Sequence, residues 1–470
     1  MRAAEDFDLI VIGGGAAGEK GAARAAYFGK KVAVVERRDR PGGATVHTGT
    51  LPSKTLREAA LFLSGYRQRD LYGVSVQVDR HLEVAKLIER KDAVRTLEAD
   101  RMLANLARHG VELVHGSARL IDATTVEIAD GHEPRRVSAE AILIVTGSSP
   151  FRPPGIDFDD PSVHDSDSIL EIDHLPGSLA VLGGGVVGCE YASMFAVLGS
   201  RVHLIERRTP LHGVDPEIVE RTTAGMRDLG VTFHLGERAD SVIRDGGALV
   251  CTLPSGQTIT TDDVLVTAGR IGNTTGLGLD AVGIATDDRG RIVVDDAFRT
   301  SVPSVFAAGD VIGSPALAAS SMEQARVAVS HAFGFGHDRY DATMLPTGIY
   351  TIPEVSSVGL SEEDARARGI DPVVGRALFR DNARGAIIGD REGMLKLVFD
   401  RDSRHLIGCA CVGERATELV HVGHAVLQLG GTVDTFIDMV FNYPSLSETY
   451  KYAAYDALDR LGDEPRPAAQ

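Results

Sequence analysis

FDLIVIGGGAAGEKGAARAAYFGKKVAVVER, residues 7–37, decides the fold. The apolar run at 9–12 reads as a strand buried on both faces. Gly13, Gly15 and Gly18 follow in GxGxxG spacing, then an alanine-rich helix and a second strand, KVAVVE, ending at Glu36. One glycine allows the tight turn, one lets a pyrophosphate approach the backbone, and one lets the helix lie close to the strand. The helix then turns its positive end to the phosphates. Glu36, with Arg37 beside it, stands where a carboxylate accepts hydrogen bonds from ribose hydroxyls. Strand, turn, helix, strand and acid all occur in order, which a chance GxGxxG would not supply.

The same order returns at GSLAVLGGGVVGCEYASMFAVLGSRVHLIERR, residues 177–208. Its glycines are Gly183, Gly185 and Gly188, and its terminal acid is Glu206. Two such units imply two dinucleotides. Val186 and Val187 open the second helix; Val186 occupies a position from which a side chain can gate a nucleotide pocket, and a small aliphatic there equally suits packing. Glu206 favours a free 2′-hydroxyl and repels a 2′-phosphate, whereas Arg207 and Arg208 directly after it suit that phosphate.

Outward from these units, residues 53–66 and 80–108 space their apolar positions as helices do, and 111–145, which contains Ser117, alternates like strands. Thr146 and Gly147 carry the chain out of the first unit. PSVFAAGDVIG, residues 303–313, brings it back as a strand ending at Asp310, which can hydrogen-bond a cofactor hydroxyl or phosphate; Ala318 lies just beyond. From about 346, strands (VSSVGL, GMLKLVFD, HLIGCACVG) and then helices (ATELVHVGHAVLQL, SETYKYAAYDALDRL) read as a separate α+β domain. The expected fold is α/β with two Rossmann-like dinucleotide-binding domains, a discontinuous one at 1–150 and 273–345 and another at 151–272, plus the domain at 346–470. The tail GDEPRPAAQ reads as disordered.

Composition excludes other classes. A net charge of −17 with no basic run is wrong for nucleic acid. No apolar stretch reaches the length of a membrane helix. The acidic start runs straight into a strand instead of a signal peptide. Four scattered cysteines make no disulfide framework, and a cytoplasmic setting is expected. Glu418, His421 and His424 share a helix face, but without a fourth ligand nearby no metal is expected.

These elements, in this order, resemble the two-dinucleotide flavoproteins known as pyridine nucleotide–disulfide oxidoreductases. The resemblance implies FAD in the first unit, a nicotinamide dinucleotide in the second, and a C-terminal domain that pairs two subunits as a homodimer or larger assembly. In that family a loop GGxCxxxxCxPSK sets two redox cysteines beside the flavin. Here the loop reads GGATVHTGTLPSK: after Gly43 and Ala44, Thr45 and Thr50 stand at the cysteine positions. A hydroxyl forms neither a disulfide nor a thiolate. The family's histidine before a C-terminal proline is Tyr443 in FNYPSLSETY, while its orienting glutamate remains as Glu448.

The stretches HTGTLPSKTLREA, LPTGIYTIPEVSSVG, CVGERATELVHVGHAV and FNYPSLSETYKYAA resemble one branch of the family, the soluble pyridine nucleotide transhydrogenases. With no sulfur to receive electrons, the resemblance implies that hydride entering from NAD(H) leaves to NADP(H), or the reverse, through flavin N5 by ping-pong turnover. It implies a catalytic set of Lys54, ion-paired with Glu190, together with His47, Tyr443 and Glu448; for His47 the preferred reading is a structural hydrogen bond. Gly269 and Arg270 resemble the family's segment beside the nicotinamide cofactor. An NAD(P)H reductase of a quinone or dye needs the same sites and stays open. An inert binding subunit is countered by Lys54, Glu190 and both glycine motifs.

Overall fold

The computed structural model describes residues 6–68, 71–72, 84–336 and 339–461. Strand β1 (Phe7–Ile12) turns through three glycines into helix α1 (Ala16–Tyr27) and returns as β2 (Val32–Glu36). β1 and β2 run parallel, Leu9 beside Val32 and Ile12 beside Val35. Helices α2 (Gly43–His47), α3 (Thr50–Leu63) and α4 (Val84–Arg108) follow, and β3 (Glu112–His115) joins β2 in parallel. The predicted start of the long helix at 80–83, and the tail at 462–470, lie outside the described residues.

β4 (Ser117–Leu120), β5 (Thr125–Ala129) and β6 (Arg135–Ile144) form a meander. β6 does two jobs. Its first residues pair antiparallel with β5, and Ala139–Ile144 pair parallel with β1. The half exposed to solvent alternates; the half inside the parallel sheet is continuously apolar.

The chain leaves through β7 (Ser148–Pro150) and builds β8 (Val163–Asp165), β9 (Ser178–Leu182), α5 (Val186–Val197), β10 (Arg201–Glu206), α6 (Pro216–Asp228) and β11 (Thr232–Leu235). A three-stranded antiparallel sheet, β12 (Ser241–Asp245), β13 (Ala248–Thr252) and β14 (Thr258–Thr261), precedes β15 (Asp263–Val266). The parallel sheet has the order β11-β10-β9-β15-β8. β16 (Arg270–Gly272) then pairs with β7, so outgoing and returning chain form one ribbon. After α7 (Leu279–Val282), β17 (Val305–Ala307) completes the first sheet beside β6, and α8 (Ala318–Phe333) packs on α1.

The last part is an antiparallel sheet, β18 (Thr347–Ile349), β19 (Glu354–Gly359), β20 (Pro372–Leu378), β21 (Met394–Asp400) and β22 (Leu406–Gly413), in the order β18-β19-β22-β21-β20. Short helices α9 (Glu362–Ala367) and α10 (Ala383–Ile388) interrupt it, and α11 (Ala416–Gln428), α12 (Val433–Asp438) and α13 (Thr449–Leu461) follow. Sequence reading finds β19, β21, β22, α11 and α13 but not β20. At its centre lies Gly375, where α13 comes so close that any Cβ would strike the Ala453 carbonyl. A packing glycine breaks the apolar pattern that would mark the strand. Among the described residues no helix is long and apolar enough to cross a membrane.

Candidate dinucleotide sites

The first unit closes around a cavity of about 590 Å³. Its floor is the turn after β1. Gly13 has φ +113°, and a Cβ there would meet the Val145 carbonyl oxygen at 2.5 Å. A Cβ on Gly18 would drive into the Gly13 carbonyl, so the third glycine is what lets α1 lie on the strand. Gly15 caps α1 without a side chain, and the backbone of Gly15, Ala16 and Ala17 lines the cavity. The first-turn N–H groups of a helix have no intrahelical partner and suit a phosphate. Glu36 is buried at the wall, receiving N–H groups from Gly14 (2.7 Å) and Arg38 (2.9 Å). Arg37, Gly43, Ala44, Thr45, Ser117, Thr146, Gly147 and Asp310 also line the cavity.

Asp310 receives hydroxyl hydrogen bonds from Ser148 (3.0 Å) and Ser321 (3.4 Å). Thr146 and Asn273 exchange two hydrogen bonds, the Thr146 hydroxyl to the Asn273 carbonyl at 2.8 Å and the Asn273 amide to the Thr146 carbonyl at 3.0 Å. Thr48, Ser148, Asp167, Asn273 and Ser321 are wall residues that the sequence reading did not find. Asp167 comes from the segment between β8 and β9; burial raises its pKa, opposed by the Arg270 guanidinium 3.6 Å away.

At the end of the glycine loop, the Lys54 ammonium on α3 donates to the Glu190 carboxylate on α5 at 2.7 Å, 136 residues away in sequence. The other Glu190 oxygen receives the Tyr350 N–H at 2.8 Å. Lys54 also lies 5.0 Å from the centre of the Tyr350 ring.

The second unit repeats the cradle. Gly183 has φ +114°, and a Cβ on Gly188 would strike the Gly183 carbonyl. Gly185 caps α5 without a side chain; Val186 is exposed and Val187 half-buried beside it. Glu206 is held as Glu36 is, receiving Gly184 N–H at 2.6 Å and Arg208 N–H at 2.8 Å. Arg207 and Arg208 are exposed.

Several predicted residues stand elsewhere. His47 is turned from the cavity, its Nε2 3.0 Å from the Pro41 carbonyl, and burial lowers its pKa. The structural alternative accounts for it. Thr50 is exposed at the first position of α3, and Ala318 opens α8; neither lines the cavity. Arg270 lies behind the wall: Nε donates to the Ser148 hydroxyl and Nη2 to the Ser148 carbonyl, both at 2.7 Å. Gly269 precedes it with φ +101°. Tyr443 is 70% exposed. Glu448 accepts from Asn382 and Tyr452, each at 3.2 Å, and does not orient Tyr443. All four cysteines are buried and unpaired, and none lines the cavity.

Two glycine cradles, each with an acid at its rim, joined by a lysine–glutamate pair, define an oxidoreductase that uses two dinucleotides. The chain belongs to the pyridine nucleotide–disulphide oxidoreductase family, whose pattern matches residues 7–332; the family's dimerisation domain matches 345–454. The family is FAD-dependent and uses NAD(P)H. The first cavity fits FAD, with free helix N–H groups, a side-chain-free cradle and carboxylates at both ends of the wall. The chain is 46% identical to a soluble pyridine nucleotide transhydrogenase of Mycobacterium bovis, over 97% of this chain and 98% of the relative. It is 38% identical to another from a Marinomonas species, over 97% and 99%. Among solved structures it is similar to LpdA from Mycobacterium tuberculosis (TM-score 0.88, 28% identity, 95% of this chain and 99% of that one). It is also similar to RclA, an HOCl-induced flavoprotein disulfide reductase from Escherichia coli (TM-score 0.84, 26%, 96% and 99%).

Proposed function

We infer that this chain is a FAD-dependent transhydrogenase that moves hydride between NAD(H) and NADP(H). One observation carries the reading. The loop that should present two thiols has threonine at both positions, Thr45 lining the cofactor cavity and Thr50 exposed at the start of α3, and the four thiols of the chain are sealed in cores. Burial pushes Cys189 up to about 12 and Cys251 to about 11, so neither yields a thiolate near neutral pH.

Bound FAD supplies a ring system that accepts a hydride and gives it back. The turn at Gly13–Ala17 holds its pyrophosphate, and Glu36 and Asp310 accept from its hydroxyls through lone pairs their present partners leave free. Lys54, held in place by Glu190, would supply a cation to stabilise charge on the reduced flavin. The turn at Gly183–Gly188 takes the nicotinamide dinucleotide, with Glu206 for a ribose hydroxyl and Arg207 and Arg208 for a 2′-phosphate. Donor and acceptor therefore visit one unit in turn.

In this reading the domains divide at 1–150 with 273–345, 151–272, and 346–470, and the last of these pairs two chains into a homodimer in the cytoplasm; sedimentation tests the dimer. Initial rates at varied NADH and oxidised NADP analogue test the chemistry. Parallel double-reciprocal lines are expected; lines that intersect overturn the reading.

A further inference from the structure

His203 and His234 take no part in either cradle. They stand on neighbouring parallel strands, β10 and β11, with Ile205 beside His234. His203 is two residues from Ile205, so both rings leave the same face of the sheet. His203 Nδ1 lies 3.1 Å from His234 Nε2, and the ring centres are 5.4 Å apart. Both rings are half-buried.

We propose that His203 and His234 form a two-nitrogen chelate for a late first-row divalent cation, Cu²⁺, Ni²⁺ or Zn²⁺, with water completing its shell. Imidazole nitrogens suit these ions. Two nitrogens each about 2.0–2.1 Å from one ion, at a right or tetrahedral angle, lie about 2.9–3.4 Å apart. The observed spacing falls inside that range. Entry of the ion displaces the single proton held between the two nitrogens, which passes through solvent to the other nitrogen of the donating ring, so both rings stay neutral and both facing nitrogens are open to the ion. The strands already fix the spacing, so no backbone moves. The charge of Glu237 acts on His234 in the ion's favour, and that of Arg201 acts on His203 against it. Glu237 also donates its N–H to the Glu206 carbonyl at 3.2 Å, so the ion sits on the strand pair that ends at the nucleotide-reading acid.

The other histidine groups are built differently. His164 and His174 already direct Nε2 at Asp263, at 3.1 and 3.0 Å. His421 and His424 have ring centres 6.1 Å apart.

The test titrates oxidised holoenzyme, free of nicotinamide nucleotide, with Cu²⁺ followed by electron paramagnetic resonance and with Zn²⁺ followed by thermal shift. One Cu²⁺ per chain with couplings to two imidazole nitrogens is expected, and Zn²⁺ should raise the melting temperature. His203→Gln keeps a hydrogen-bonding partner for His234 but removes the chelate. It should melt near the wild type without metal and bind about tenfold or more weakly with it. His421→Ala should bind as the wild type does. Unchanged affinity in both His203→Gln and His234→Gln, or no bound ion, would leave the pair a hydrogen bond only and overturn the site.

Discussion

Glu36 and Glu206 are gripped alike, each receiving one N–H from the glycine turn and one from the residue two positions on. The grip needs no ligand, so the carboxylate is aimed before a nucleotide arrives. In the proposed reading, Glu206 of the second unit takes a 2′-hydroxyl and the exposed arginines after it a 2′-phosphate. Replacing Glu206 by Ala should therefore raise KM for NADH about tenfold, the loss of one hydrogen bond to a charged group. KM for NADPH should hold or fall, and the ratio of the two, with kcat unchanged, is the measurement. An equal rise in both would mean that the carboxylate only shapes the turn. Residues of this kind were legible because a motif fixes their distance from a glycine. Thr48, Asp167, Asn273 and Ser321 were not: ordinary residues, they reach the cavity from segments far apart in the chain. His47 kept two readings open for the opposite reason. Its place in the loop is local information, but whether a ring faces the cavity or a backbone carbonyl depends on packing.

At the scale of elements, α1 and α5 lie on their strands only because Gly18 and Gly188 have no Cβ. Alanine at either should push the helix off the turn at about 1–3 kcal/mol, since a carbonyl cannot yield as a flexible side chain can. The two variants should separate the two sites. Gly18→Ala should be isolated with little flavin per chain by visible absorbance. Gly188→Ala should stay yellow but no longer be bleached by NADH. A second element-level device is the clamp on β15. Its buried Asp263 receives His164 from β8 and His174 from the following loop. The Asp173 and Asp263 carboxylates raise the pKa of His174. A raised folded pKa means that the contribution is complete below the unfolded value near 6.5 and is lost as pH rises through the folded one. The melting temperature of the wild type should thus exceed that of His174→Gln most below pH 6.5, with the gap closing at alkaline pH. His47, His203, His234 and His424 shift the other way, to the acid side, and are common to both proteins, so they cancel in the difference. A gap that widens with pH would refute the clamp. Elements of this size were well read from sequence where one period held throughout. β6 shows two periods because it changes partner halfway, and β20 shows none because α13 imposes a glycine on it.

For the whole molecule, ion pairs among the described residues tie the two nucleotide units and the C-terminal sheet to one another two by two. Lys54 on α3 reaches Glu190 on α5. Arg57, also on α3, reaches Glu354 on β19 at 3.1 Å. Lys396 on β21 reaches Asp215, the N-cap of α6, at 2.8 Å and Glu217 at 3.2 Å. Of these pairings the family resemblance alone announces Lys54–Glu190; Arg57–Glu354 and Lys396–Asp215 do not follow from sequence, because each joins separate elements, the members of Lys396–Asp215 standing 181 residues apart. The last is the most enclosed, its side chains 4% and 5% exposed. A buried charge stripped of its partner costs about 3–5 kcal/mol, whereas replacing both charges is often neutral. Lys396→Met should lower the unfolding free energy of the holoenzyme, read from urea denaturation, by an amount in that range and let the α6 sheet unfold ahead of the rest. Adding Asp215→Asn should restore most of the loss, because asparagine caps a helix as well as aspartate does and leaves no lone charge inside. If the second change instead deepened the loss, Asp215 would be holding α6 alone and the pair would not join the sheets. If it restores stability, the nicotinamide unit is fixed to the C-terminal sheet by geometry and not by charge, and the two nucleotides must exchange on a frame that does not swing open between them.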